Sequence, residues 1–206
     1  SNGQVLSTNG SGTLSWASDS SGASALDGLS DVKSGGASFA GSLLIGHQTT
    51  GTLNNAIYNT GVGIEALDAL TTGDSNTAIG NLALTSNTTG HHNTASGSSA
   101  LHSNTTGGNN TAVGLGALYS NIDGYHNTAV GFQAGFNIRG YNNTAVGYQA
   151  GFSNQAYSNV FLGKQAGYSE TGSNKLYISN SQTQDLIRGD FSTGFLTFGR
   201  AGLANG

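Results

Sequence analysis

At 206 residues the chain is long enough for one ordinary domain or two small ones, but its composition is not that of an average enzyme: 34 Gly, no Pro, Cys or Met, and only 8% charged residues. The lack of Cys excludes a disulfide framework and thiolate metal sites. Net charge is −4 and no basic residue lies between Lys33 and Arg139, so nothing there can neutralise a phosphate backbone or anionic lipid, and neither nucleic acid nor a membrane is expected as a partner.

No apolar run approaches the ~20 residues needed to span a bilayer, and no signal peptide is visible. The lack of an initiator Met is what a fragment or processed product would show. Residues 1–41 read as a hairpin and linker segment. Val5 and Leu6, the Asn9-Gly10 turn, then Leu14 and Trp16 suit a small hairpin in which Trp16 is a packing anchor, and residues 17–40 read as a linker with one helical turn at Ala25–Leu29.

Residues 42–173 are repetitive. Asn59-Thr-Gly-Val-Gly, Asn76-Thr-Ala-Ile-Gly, Asn93-Thr-Ala-Ser-Gly, Asn110-Thr-Ala-Val-Gly, Asn127-Thr-Ala-Val-Gly and Asn143-Thr-Ala-Val-Gly recur every 17 residues and finally 16, with weaker copies at Ser42 and Asn159, about eight in all. Such a period predicts a solenoid. The Thr/Val alternation predicts a short strand ended by Gly, and the segment around Ala66, Ala83, Ala100, Ala117, Ala134, Ala150 and Ala166 predicts a second strand in each turn. Gly73, Gly90, Gly107, Gly124 and Gly140, in register, are expected to supply a positive φ. From 174 to 206 larger apolar residues (Leu176, Ile178, Phe191, Phe195, Phe198) predict a β cap.

Stacked at ~4.8 Å, identical positions superpose, so Asn59, Asn76, Asn93, Asn110, Asn127, Asn143 and Asn159, continued by Asn174, are expected to form an amide ladder. The coil is thin and Ala-rich, which makes a symmetric bundle of copies the expected remedy. The aromatic column Tyr119, Phe136, Phe152 and Tyr168, with neighbouring Phe132 and Tyr148, is read as packing against the adjacent subunit, with a sugar-stacking surface as the alternative. Five His residues suggest no metal site: His92 and His126 share a column two turns apart, about 10 Å. Asn9, Asn87, Asn104, Asn109 and Asn142 begin Asn-x-Ser/Thr sequences. Glu65, Asp68 and Asp74 read as solvated, no Gly-x-Ser-x-Gly elbow is present, and no catalysis or cofactor is expected. The turns vary most between copies, so Asp74, His91, His92, Tyr125, His126 and Tyr141 are the candidate receptor contacts.

The Asn-x-Ala-Val/Ile-Gly motif resembles the head repeat of trimeric autotransporter adhesins, and Asn143-Thr-Ala-Val-Gly-Tyr-Gln-Ala-Gly151 is similar to repeats of bacteriophage tail fibres, marine ones especially. The stretches Gly3–Trp16 and Asn174–Phe191 resemble segments flanking such repeats. The resemblance covers most of the chain and implies a left-handed parallel β-roll, homotrimeric, with the extra residues of each copy lengthening an outer turn. It implies a virion or cell-surface location and a rod that presents contacts to a host glycan or protein. In many such fibres a self-cleaving chaperone domain follows. The rival readings are a bacterial cell-surface adhesin or filament and an ice-binding solenoid.

Overall fold

Thr-Ala-Val and its variants build one three-residue strand per repeat, because the middle residue is small enough to point into a narrow interior while its neighbours face out. A computed structural model describes residues 42–45, 54–182 and 185–199, together with the strand backbones at 4–8, 14–18 and 32–34. The strands are β1 (Gln4–Thr8), β2 (Leu14–Ser18), β3 (Val32–Ser34), β4 (Leu43–Ile45), β5 (Thr60–Val62), β6 (Thr77–Ile79), β7 (Thr94–Ser96), β8 (Thr111–Val113), β9 (Thr128–Val130), β10 (Thr144–Val146), β11 (Val160–Leu162), β12 (Lys175–Ser179), β13 (Asp185–Asp190) and β14 (Phe195–Phe198). There is no helix among the described residues.

The chain is all-β, a parallel β-solenoid of about eight turns. β3 to β14 form one sheet in sequence order, parallel from β4 to β12 and closed by antiparallel β3 at one end and the antiparallel β13–β14 hairpin at the other. β1 and β2 pair antiparallel with Leu6 opposite Trp16, the hairpin expected there; its turn and the helical turn expected at Ala25–Leu29 lie outside the described residues. Within the expected linker, Val32–Ser34 forms a strand instead.

The expected second strand per repeat is not formed. Ala66, Ala83 and their equivalents lie in consecutive turns, because the next residue takes a left-handed conformation, φ 59° at Leu67 and 52° at Leu84, Leu101 and Leu118. Inter-turn bonding survives the kink, as in Leu67 N–H to the Ala83 carbonyl at 3.1 Å. A left-handed Leu costs about 1–2 kcal/mol, a strain offset by complete burial of its side chain. In later turns Gly135, Gly151 and Gly167 take the position without that cost. The volume at Gly135 is filled by Ile138 and Leu118, and that at Gly151 and Gly167 from the strand side: Phe161 replaces the usual Ala and its ring occupies the space a Cβ there would need.

The expected positive φ at Gly73, Gly90, Gly107, Gly124 and Gly140 is not found. These glycines are required for close approach: a Cβ on Gly90 would press into the Gly107 carbonyl and the Asn87 amide. The left-handed turn residues are instead Ser75, His92, Asn109, His126, Asn142 and Ser158, with φ between 56° and 59°.

Candidate contact surfaces

The Asn column is wholly interior. Asn59 to Asn159 are buried, and in Asn76, Asn93, Asn110 and Asn143 the amide donates both to the preceding rung and to a carbonyl across the lumen. Asn110 Nδ2 donates to Asn93 Oδ1 at 3.1 Å and to the Gly124 carbonyl at 2.8 Å, and Asn110 Oδ1 accepts from the Asn127 backbone N–H at 2.9 Å. One side chain thus satisfies a backbone donor of the next turn and a carbonyl across the lumen, which is why this position needs a group that both donates and accepts. Ser42 opens the series, its Oγ accepting from Asn59 N–H at 2.7 Å. Lys175 N–H closes it on Asn159 Oδ1 at 2.8 Å. Asn174 is therefore not a rung; it lies one residue earlier, with φ 61°.

A second interior column was visible in the sequence only in that Asn87 and Asn104 begin glycosylation acceptors. Asn87, Asn104 and Asn121 are buried, Asn104 Nδ2 donating to Asn87 Oδ1 at 2.8 Å and Asn121 Nδ2 to Asn104 Oδ1 at 3.1 Å. Asn87 and Asn104 accordingly present no amide to a glycosyl donor, whereas Asn109 and Asn142 are exposed.

The six candidate receptor contacts fall on one edge of the rod. Asp74, His91, Tyr125 and Tyr141 occupy the position two residues before a rung, and His92 and His126 the position one before. All are exposed except half-buried Asp74. They are not loose loops: His92 N–H donates to the Asp74 carbonyl, His126 N–H to that of Gly108 and Asn142 N–H to that of Tyr125, at 3.0–3.1 Å. Tyr125 Oη donates to the Thr106 carbonyl at 3.2 Å, and Tyr141 stacks on Tyr157 with ring centroids 5.1 Å apart. Tyr58 and Tyr157 share this edge and escaped the sequence reading; both are exposed aromatic residues in the same two columns.

The aromatic column stacks on itself within the chain. His102, Tyr119, Phe136, Phe152 and Tyr168 form a continuous stack with centroids 4.6–5.1 Å apart and ring planes within 12° of parallel. His102, half-buried, is a member the sequence reading did not include, and burial lowers its pKa. Rings that cover one another's faces in this way present edges outward, so the stack's interior members offer no flat platform to a sugar. Beside it Gln149 Nε2 donates to Gln133 Oε1 at 2.8 Å and Gln165 Nε2 to Gln149 Oε1 at 3.1 Å.

On the outer face of the sheet, consecutive register partners run Ile45, Val62, Ile79, Ser96, Val113, Val130, Val146, Leu162, Ile178, Ile187 and Phe198, and the backbone register continues to Val32. Of the eleven positions from Ile45 to Phe198 ten are apolar, Ser96 is the exception and none is charged, so an apolar line interrupted only at Ser96 runs along the sheet. Val62, Ile79, Val113, Val130, Val146 and Phe198 are exposed. Ile64, Leu115, Phe132 and Tyr148, also exposed, widen it on one side, in a column that carries Asn81, Ser98 and Lys164 in the other turns, and Thr60, Thr77, Thr94, Thr111, Thr128 and Thr144 flank it on the other.

At the C-terminal end, Glu170 ends the second interior column and bonds Tyr177 Oη, while Arg188 lies 4.9 Å over the Tyr177 ring. Burial and the Glu170 partner push the Tyr177 phenol above its ordinary range. Burial pushes Glu170 up, but bonds from Tyr177, Gly172 and Thr171 and the Arg188 charge outweigh it, leaving its pKa lowered. Lys175 Nζ meets Asp190 at 2.6 Å and, with Ser192, holds that carboxyl far below the usual carboxylate range.

Among the described residues, no group of three His, Cys, Asp or Glu is placed to hold a metal ion, and His47 lies outside them. Glu65 is exposed and Asp68 half-buried. Compared with known family models, curated proteins and solved structures, the chain shows no match.

Proposed function

We propose that this chain is a non-enzymatic structural and adhesive segment of a phage or virus-like fibre, a stiff rod of three copies whose turn edge contacts a host-surface glycan or protein. The apolar register line carries the reading. Twelve strands at ~4.8 Å make it roughly 50 Å long, and with its flanking columns it spans on the order of 800 Å² per chain, what a standard interface takes from each partner. A mainly apolar stripe of that extent, charged in its flanking columns only at Lys164, suits burial against copies presenting the same stripe at every level. The resemblance of the repeats to adhesin heads and phage fibres supports the number three, the left-handed coil and the virion or cell-surface setting.

In native solution the chain is expected at about 62 kDa, three times its 20.7 kDa, by light scattering. Val113→Lys with Val130→Lys, which sets two charges on the line, is expected to lower that mass, and a folded wild-type monomer would overturn the reading.

Contact through the turn edge is tested by grafting. Replacing both His91-His92 and Tyr125-His126 with Gly-Asn, the pair present at Gly108-Asn109, preserves the backbone, since His92, Asn109 and His126 share φ 56–59°. Binding to bacterial cells or to a glycan array is expected to weaken with the mass unchanged; undiminished binding would leave this segment a spacer. One observation favours ice binding as a second reading, the in-register Thr line beside the Val line, and thermal hysteresis would support it.

A further inference from the structure

We propose that the β13–β14 hairpin is an interlocking joint between copies of this chain at one end of the rod. The proposal rests on the assembly reading above and adds to it a second, structurally different contact. Beyond Tyr177 the solenoid interior ends, yet the sheet continues. Every residue of β14 is exposed, and its outer edge is the end of the sheet.

Large apolar residues stand on both faces of this strand. Register places Leu196 and Phe198 on the outer face with Leu176 and Ile178, and Phe195 on the opposite face beside Asp190 and Lys175. Leu186, Phe191, Phe195, Leu196 and Phe198 are 51–71% exposed. Together they expose roughly 600 Å² of apolar surface, divided between the two faces of one hairpin.

A second copy is the occupant this geometry favours. Leu196 and Phe198 end the lines along which copies are proposed to meet, so a neighbouring copy already lies against the outer face. In a rotational assembly each hairpin has a neighbour on either side, and the next copy's hairpin is the element positioned to cover Phe195. Charge does not oppose this: Lys175 pairs with Asp190 at 2.6 Å, and Arg188 lies 3.8 Å from Glu170, both within the chain. A hairpin with large apolar side chains on both faces and an edge that pairs with no other described strand is a ready template for another strand.

Because the chain has no Cys, a single introduced thiol reports proximity without background. Phe195→Cys in the full chain, treated with a short bis-maleimide, is expected to give covalent dimers as the main product, while Thr89→Cys on the exposed outer turn stays monomeric on denaturing gels. Thr197→Cys, on the same face as Phe195 but costing no apolar contact, serves if Phe195→Cys does not assemble. Cross-linking of either variant above the Thr89→Cys level supports the joint. A chain of about 62 kDa in which neither position cross-links overturns the joint and leaves the assembly reading standing; a wild-type monomer removes both.

Discussion

Replacing Asn110 by Asp is expected to cost about 3–5 kcal/mol at neutral pH, since a buried charge left without a partner is the most expensive common defect. The amide makes two donations, to Asn93 Oδ1 and to the Gly124 carbonyl, and a carboxylate would face both acceptors with negative charge. No Lys or Arg lies between Lys33 and Arg139 to compensate. The acceptor role toward Asn127 N–H survives, so the loss falls on the donor side alone. The cost should depend on pH. Burial raises the folded-state pKa of the new carboxyl above its unfolded value of about 3.9, so the variant is least impaired below that value, where its O–H donates one of the lost bonds. The deficit grows as pH rises from there through the raised folded-state pKa. Thermal melts followed by circular dichroism at acid and neutral pH measure both effects, and equal melting at pH 7 would mean that the column is hydrated.

Gly124→Ala is expected to cost about 3 kcal/mol, at the high end for overpacking, although alanine is the smallest possible addition. Its Cβ would fall on Asn121 Oδ1 and the Gly140 carbonyl, and lie 2.9 Å from Asn127 Nδ2. Each of these atoms belongs to a rung, so no neighbour can retreat without giving up a bond, including the 2.8 Å contact from Asn110 Nδ2 to the Gly124 carbonyl. Gly194→Ala is the contrast. Gly194 has φ +71° and nothing within 4 Å of an added Cβ, so only backbone strain is charged there, about 1 kcal/mol. Equal losses at the two sites would show that turn packing does not limit stability.

The solenoid, its period and its first Asn column were legible because from Asn59 to Asn159 a rung of one residue type recurs every 17 or 16 residues. The second column was equally periodic at Asn87, Asn104 and Asn121. It was obscured because Leu70 and Ile138 occupy the same position in other turns, and a mixed apolar and amide column does not resemble a ladder until both are seen to be interior. The missing second strand traces to Leu67, Leu84, Leu101 and Leu118. Intrinsic preference assigns left-handed backbone to glycine, and only the packing of a fully buried side chain overrides it. The same preference led to the turn glycines being assigned a positive φ that His92, Asn109 and His126 supply instead. Of the candidate contacts, the residue positions were legible and their common edge was not, since it depends on how successive turns superpose.

Between Asn127 and Asn159 the repeat shortens to 16 residues, yet the rungs continue: Asn143 Nδ2 reaches Asn127 Oδ1 at 3.0 Å, and Asn127 Nδ2 reaches the Gly140 carbonyl at 2.8 Å. The missing residue comes from one corner, where Arg139 alone joins Ile138 to Gly140 while Ile122 and Asp123 join Asn121 to Gly124. Length varies at that corner, while the rest of the turn keeps one length from Asn59 to Asn159. Two kinds of genetic change therefore act on this molecule without interfering. Tandem duplication of one repeat would extend its reach by about 4.8 Å, since a turn bonds only to its neighbours. Insertion at the corner would add new surface chemistry at a chosen height with the register of every other turn unaltered.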